Sequence, residues 1–130
     1  MIVLDASAAI EWLLQTSTGQ RVEQQIFSQS ESLHAPHLLD VEIIQVLRRL
    51  VRERVISAVR ADQAITDLLD LRINRYPHFV LLPRIWQLRH NLSAYDAAYV
   101  ALAEELDAIL LTSDARLASA SGHSAQIHVL

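Results

Sequence analysis

The chain has 130 residues, of which 52% are hydrophobic, and it carries a formal net charge of −4. It contains no cysteine, and all 11 of its basic residues are arginine, which excludes disulfides, thiolate metal sites, cysteine nucleophiles and lysine chemistry. This length predicts a single domain over residues 1–130 with its own core. No apolar run approaches the ~20 residues of a membrane helix and no signal peptide is recognisable, so we expect a cytoplasmic protein.

Hydrophobic periodicity predicts strands that alternate with helices. In chain order we predict a strand at 2–5, helices at 7–15 and 19–29, a strand at 33–36, helices at 36–55 and 57–75, a strand at 79–83, helices at 84–91 and 91–106, a strand at 108–112, a short helix from Asp114, and a strand at 126–130. Such alternation implies right-handed crossovers and a mostly parallel sheet covered on both faces. The fold class is therefore α/β.

Four carboxylates are expected at one edge of this sheet. Asp5 ends the first strand, and Asp114 lies two residues beyond "AILLT". Glu42 is near the start of the strongest helix, and Asp96 falls in the first turn of the helix that follows Ser93. In parallel sheets, sites form beyond the carboxyl ends of the strands where the strand order reverses. The topology therefore predicts that the four acids converge.

Each acid also has a purely structural interpretation. Asp5 and Asp114 are suitable helix N-caps, and Asp96 stands three residues after Ser93, which is the spacing of a capping box. Glu42 is harder to explain in this way, because a glutamate beside an apolar stripe needs a partner or a cation. A capping carboxylate can still offer an oxygen to a metal, so the two interpretations are compatible.

Four neighbouring carboxylates would repel one another and retain protons through raised, coupled pKa values. A divalent cation relieves this repulsion. Because the ligands would be oxygen only, the choice falls on Mg²⁺ or Mn²⁺. Such a cluster suits phosphodiester hydrolysis, in which the cation activates water and offsets charge on the phosphoryl oxygens.

The segments "IVLDASAAIEWLL", "APHLLDVEIIQVLRRL", "LSAYDAAYVALAEEL" and "LLTSDARL" occur in the order typical of PIN domains. The whole chain resembles this family, and most closely the VapC toxins of toxin–antitoxin pairs. The resemblance implies a three-layer α/β/α fold and a metal-dependent endoribonuclease. It assigns the acidic catalytic and metal-binding positions to Asp5, Glu42, Asp96 and Asp114.

The same resemblance implies supporting roles and partners. Ser7 and Thr112 would orient carboxylates or bind water. The substrate would be structured RNA such as tRNA or rRNA, and the products would carry a 5′-phosphate and a 3′-hydroxyl. The resemblance also implies a homodimer and a cognate antitoxin that wraps the toxin and inserts a basic side chain into the acidic site. The dimer face is left open between the "YVALAEEL" helix and the 57–75 helix.

The net charge of −4 makes a broad basic surface for RNA doubtful. Arg116, two residues past Asp114, is the favoured phosphate contact, against a solvated or helix-paired arginine. The arginines of "RRLVRER" at 48–54 are interpreted as a solvated helix face. Trp12 and Leu13, with Leu38, are candidates for an antitoxin groove or for plain core packing.

Three rival functions are open. A haloacid-dehalogenase-like phosphatase also begins with a strand and an Asp, but it needs a second Asp at the position of Ser7, and a lysine. A PIN-like module could bind RNA or a partner without cutting. An acid-rich interaction domain could use its carboxylates only as helix caps, in which case it would not bind Mn²⁺.

Overall fold

The computed structural model describes residues 1–130 and contains five strands and seven α-helices. The strands are β1 (Ile2–Leu4), β2 (Leu33–Pro36), β3 (Ile73–Tyr76), β4 (Ile109–Thr112) and β5 (Gln126–Val129). The helices are α1 (Ala6–Leu13), α2 (Ser17–Phe27), α3 (Leu38–Arg52), α4 (Ala58–Asp70), α5 (Leu82–Gln87), α6 (Ala94–Leu106) and α7 (Ala115–Ser119). None of these helices combines the length and the apolar character needed to cross a membrane.

All five strands are parallel, in the order β3-β2-β1-β4-β5. In the central strand, Val3 pairs with His34 on one side and with Leu110 on the other. The chain moves outward from β1 to β3 and then crosses to the other side of β1, so the strand order reverses between β1 and β4. Right-handed crossovers place α1–α4 on one face of the sheet and α5–α7 on the other. The predicted α/β class, with three layers and a parallel sheet, is confirmed.

The core is formed where the central strands meet α6. Every residue of β1 is buried, and so is the continuous run Ala97–Ala103 of α6. The small alanines of this run let the helix lie close to the sheet. Because this run is buried against its own sheet, the 99–106 part of α6 has little apolar surface to offer a second copy, although Tyr95 at the start of α6 is exposed. Of the two candidate dimer faces, only α4 keeps large exposed apolar side chains, Val59 and Leu69.

The third strand lies in a different place from the predicted one. The helix predicted at 57–75 ends at Asp70, and residues 73–76 form β3 beside β2. Pro77 explains the change, because the residue before a proline disfavours helix and prefers extended backbone. The strand predicted at 79–83 is wrong, since Phe79–Leu81 is a 3-10 turn that leads into α5. Pro83 stands in the first turn of α5, where a proline starts a helix well.

Candidate active site

Asp5 lies at the point where β1 passes into α1, and it is only 7% exposed. Its Oδ1 accepts hydrogen bonds from the Ala8 N–H at 3.0 Å and from Ser7 Oγ at 2.7 Å. Its Oδ2 accepts one from Thr112 Oγ1 at 2.6 Å. Asp5 is therefore the N-cap of α1. Burial raises the pKa of Asp5, the three hydrogen bonds oppose the rise, and the charge of Asp96 adds to it.

Two hydroxyls join Asp5 to the end of β4. Ser7 Oγ lies 3.1 Å from Thr112 Oγ1 and accepts a bond from the Ser113 N–H at 3.0 Å. Thr112 is fully buried, and its Oγ1 accepts a bond from the Asp114 N–H at 3.0 Å. Because Thr112 bonds both Asp5 and the backbone of Asp114, the pairing of β1 with β4 fixes the relative positions of these two acids.

Glu42 is half-buried in the first turns of α3 and accepts a hydrogen bond from the Tyr99 hydroxyl of α6 at 2.5 Å. Burial raises the pKa of Glu42, and the charges of Asp96 and Asp5 raise it further, while the Tyr99 bond opposes the rise. Tyr99 is buried, and desolvation together with Glu42 raises the pKa of its hydroxyl. Tyr99 therefore donates a proton to this bond throughout the working pH range.

Asp96 carries a carboxylate that accepts no hydrogen bond within the chain. Its backbone N–H donates to Ser93 Oγ at 3.1 Å, so Ser93 is the N-cap of α6, as predicted. The reciprocal bond of a capping box, from the Ser93 N–H to the Asp96 side chain, is absent. A structural role as a cap therefore does not account for this half-buried carboxylate. Its charge raises the pKa of both Asp5 and Glu42.

Asp114 is the N-cap of α7 and is held by Arg116. The Arg116 Nη2 donates to Oδ2 at 2.8 Å, and its Nε donates to Oδ1 at 3.2 Å. This ion pair lowers the pKa of Asp114. The Arg116 side chain is 86% exposed, and the charge of Asp96 also reaches it. The guanidinium thus neutralises one side of the acidic cluster and remains open to solvent.

The donor set fits a hard divalent cation by its chemistry. A carboxylate has about four acceptor positions, and Asp5 uses three of them, so one on Oδ2 is free. Both oxygens of Asp96 and Oε2 of Glu42 are free as well. As placed, no three acidic or histidine side chains converge closely enough to hold one ion between them. The side chains stand apart, as like charges do.

The geometry separates the predicted site residues into two groups. The charge of Asp96 raises the pKa of both Asp5 and Glu42. Ser7 and Thr112 donate hydrogen bonds to Asp5 directly. Asp114 is tied to Arg116 instead. The Tyr99–Glu42 bond was not predicted from the sequence. Tyr99 lies three residues after Asp96, on the buried side of α6, where a tyrosine would ordinarily be assigned to the core.

The raised pKa of Glu42 leads to a prediction about stability. A carboxyl whose folded pKa lies above its ordinary value of 4.5 makes the free energy of unfolding fall as the pH rises through that pKa. We expect Glu42→Gln, which keeps an acceptor for Tyr99, to raise the unfolding midpoint by about 2 to 4 °C near neutral pH. The gain should vanish near pH 4, where the native carboxyl is protonated.

Thermal melts in EDTA at several pH values measure this effect. Glu105→Gln is the matched control, because Glu105 is exposed and makes no hydrogen bond. Equal midpoints for Glu42→Gln and the wild type at neutral pH would contradict the charge repulsion inferred for the cluster.

Comparison with known proteins identifies the family. The chain belongs to the PIN-domain family, whose model matches residues 2–122. It is similar to ribonuclease VapC9 of Mycobacterium tuberculosis, with 48% identity over 117 residues that cover 90% of this chain and 88% of that protein. The resemblance drawn from the sequence motifs is thus confirmed.

Solved structures show the same fold at low sequence identity. VapC20 of Mycobacterium tuberculosis, described as a sarcin–ricin loop cleaving toxin, matches with a TM-score of 0.66 and 15% identity over 95% of this chain and 97% of that one. VapBC2 from Rickettsia felis, solved with a DNA fragment from its promoter, matches with a TM-score of 0.65 and 10% identity over 99% of this chain and 98% of that one.

Proposed function

We propose that this chain is an endoribonuclease that hydrolyses RNA phosphodiester bonds and acts as the toxin of a type II toxin–antitoxin pair. One observation carries the proposal. Asp5, buried and hydrogen-bonded, lies where β1 ends, and its pKa is raised by the charge of the unpartnered Asp96 carboxylate, which also raises the pKa of Glu42. The names of the relatives, which are VapC ribonucleases, support it. We place the protein in the cytoplasm, because its RNA substrate is there.

We propose that Asp5 and Asp96 hold Mg²⁺ or Mn²⁺, and that Glu42 ligates directly, ligates through water or acts as general base. Their oxygen-only donor set suits these ions. The cation supplies activation of water and neutralisation of charge on the phosphoryl oxygens. Arg116 transfers from Asp114 to an RNA phosphate, which frees Asp114 to join the same ligand set. Ser7 and Thr112 keep the Asp5 carboxylate in place while the cation binds and while Arg116 moves to the phosphate.

Hydrolysis follows from the roles of these residues. A water oxygen attacks phosphorus in line with the leaving 3′ oxygen, and Glu42 receives the proton of that water in its role as base. The bond between phosphorus and the 3′ oxygen breaks, and that oxygen takes up a proton. The products carry a 5′-phosphate and a 3′-hydroxyl.

The partners follow from the toxin role. We propose tRNA or rRNA as the substrate, a homodimer as the working unit and a cognate antitoxin as the inhibitor. The acidic cluster is a natural target for a basic antitoxin side chain, because it holds several carboxylates with one exposed guanidinium beside them. Trp12 and Phe27, which form an edge-to-face pair, border a groove large enough for an apolar antitoxin segment.

Cleavage of purified total RNA tests the proposed function. We expect the wild type to cut RNA with Mn²⁺, EDTA to abolish the cutting, and Asp96→Asn to lose it while melting like the wild type. The absence of cutting in the presence of bound Mn²⁺ would favour the alternative of a PIN-like module that binds RNA or a partner without cleaving. The absence of both cutting and Mn²⁺ binding would reduce the carboxylates to helix caps.

Thr112 provides a prediction about metal affinity. Thr112→Val removes the hydroxyl that donates to Asp5 Oδ2 and accepts from the Asp114 N–H. We expect Mn²⁺ affinity to fall about 10- to 100-fold, the usual effect of losing a group that orients a ligand. Calorimetric titration with Mn²⁺ measures this, and Thr112→Ser should restore most of the affinity. An unchanged affinity in Thr112→Val would show that Asp5 does not need this bond to hold the ion.

A further inference from the structure

Helix α3 carries the densest positive charge of the molecule. Arg48, Arg49 and Arg52 are exposed, and none of their side chains makes an ion pair or a hydrogen bond. The arginines that pair with an acid are elsewhere, at Arg75, Arg84 and Arg116. No acid of the chain neutralises these three guanidinium groups, so they are available to bind a partner molecule.

These arginines continue the side of α3 that begins at the acidic site. Glu42, Gln45, Arg49 and Arg52 follow one another at intervals of three or four residues, so they lie in a row along the helix. At 1.5 Å per residue, Arg52 lies about 15 Å from Glu42 along the axis. Gln45, Arg49 and Arg52 line a shallow groove together with Arg48 and Glu53. Glu53 is the C-cap of α3, so the basic row ends there.

We propose that this row is the track for the RNA backbone on one side of the scissile phosphate, with Arg49 and Arg52 bound to successive phosphates. The inference rests on the proposed function, because the proposed reaction at Glu42 fixes the point from which the RNA strand runs along α3. A chain of net charge −4 cannot attract RNA through its overall field. A local row of unpaired guanidinium groups, each able to bind a phosphate through two N–H groups, supplies that attraction.

An acidic segment of a protein partner would also complement Arg49 and Arg52. RNA is favoured because the row is continuous with the residue that faces the reacting phosphate. A phosphodiester strand must reach Glu42 to be cut and then needs positive charge beyond it.

Salt-dependent RNA binding tests the track without requiring cleavage. We would measure the Kd of a fluorescein-labelled oligouridylate in EDTA at several salt concentrations, for Arg49→Gln/Arg52→Gln and for the matched double variant Arg21→Gln/Arg72→Gln. Arg21 on α2 and Arg72 before β3 are exposed, make no ion pair and lie outside α3. The matched pair removes the same charge from outside the row on α3.

We expect the α3 variant to bind about tenfold more weakly, and the slope of log K against log salt to fall by about 1.4, which is 0.7 for each of two lost phosphate contacts. The control should stay within about twofold of the wild type. In the cleavage assay the α3 variant should raise KM and leave kcat unchanged. Equal slopes for the two variants, or an effect on oligomeric mass alone, would overturn the track even if cleavage itself is confirmed. If the protein never cuts RNA but the α3 variant still lowers the slope of log K against log salt, the track is supported and the nuclease function is refuted.

Discussion

Replacing Asp5 by asparagine should lower the rate of RNA cleavage at least about 100-fold and leave the fold intact. Asparagine keeps an oxygen for the Ala8 N–H, so α1 retains its cap. The amide nitrogen that replaces Oδ2 faces Thr112 Oγ1, and the hydroxyl can rotate to accept from it. What the variant loses is the negative charge and the free acceptor position on Oδ2. The loss of activity is therefore assigned to the site and not to unfolding.

The measurement is the initial rate of Mn²⁺-dependent cleavage, taken beside a thermal melt in EDTA. Asp67→Asn is the control, because Asp67 is an exposed carboxylate of α4 that makes no side-chain hydrogen bond. Removal of the charge of Asp5 should also keep or slightly raise the melting temperature, since burial raises its pKa. If Asp5→Asn keeps more than about a tenth of the wild-type rate, Asp5 is a helix cap and not part of the chemistry.

The second large effect is on stability. Gly19→Ala should lower the free energy of unfolding by about 3 kcal/mol, at the upper end of the usual cost of overpacking. A Cβ at Gly19 would stand 2.0 Å from the Glu11 carbonyl oxygen and 2.9 Å from Trp12 Cα. Both contacts are backbone atoms of α1, which cannot turn away as the end of a side chain can. The close packing of α1 and α2 therefore depends on this glycine.

Urea unfolding followed by circular dichroism measures this effect. The control is Gln20→Ala, the neighbouring exposed position of α2, which should change stability by no more than about 0.5 kcal/mol. A loss of 3 kcal/mol is a large part of the roughly 5 to 15 kcal/mol that stabilises a domain. A loss below about 1 kcal/mol for Gly19→Ala would mean that α2 shifts to make room.

The sequence predicted where Asp5 and Asp114 lie relative to the sheet because their placement depends on topology. Parallel strands that end in Asp5 and near Asp114 must bring these residues to one edge, whatever the details of the loops. The interpretation of Asp5 and Asp114 as helix caps was correct, since each is an N-cap. The capping interpretation fails for Asp96, whose carboxylate makes no bond to Ser93. Caps follow from local spacing, whereas a missing reciprocal bond depends on a rotamer.

The sequence could not predict interactions that depend on tertiary packing. The Tyr99–Glu42 bond joins α6 to α3 over 57 residues, and no local pattern indicates such a pair. β3 was missed because Ile65, Leu68 and Leu69 suggested a helix that continues past Asp70. The ladder with β2 and the restriction imposed by Pro77 outweighed that preference. The run "FVLLP" was predicted to be a strand because it is apolar, yet it forms a 3-10 turn in which Phe79 and Val80 are exposed.

The bond from Thr112 to Asp5 joins residues 107 positions apart, and this separation orders events on the ribosome. Asp5 is among the first residues made, but β4 must emerge and pair with β1 before Thr112 can orient it. A nascent chain that ends before β4 carries Asp5, Glu42 and Asp96 without the Thr112 hydroxyl that positions Asp5. Long-range strand pairing is also slow compared with helix formation. The orientation of Asp5 by Thr112 is therefore among the last features of the domain to form during synthesis.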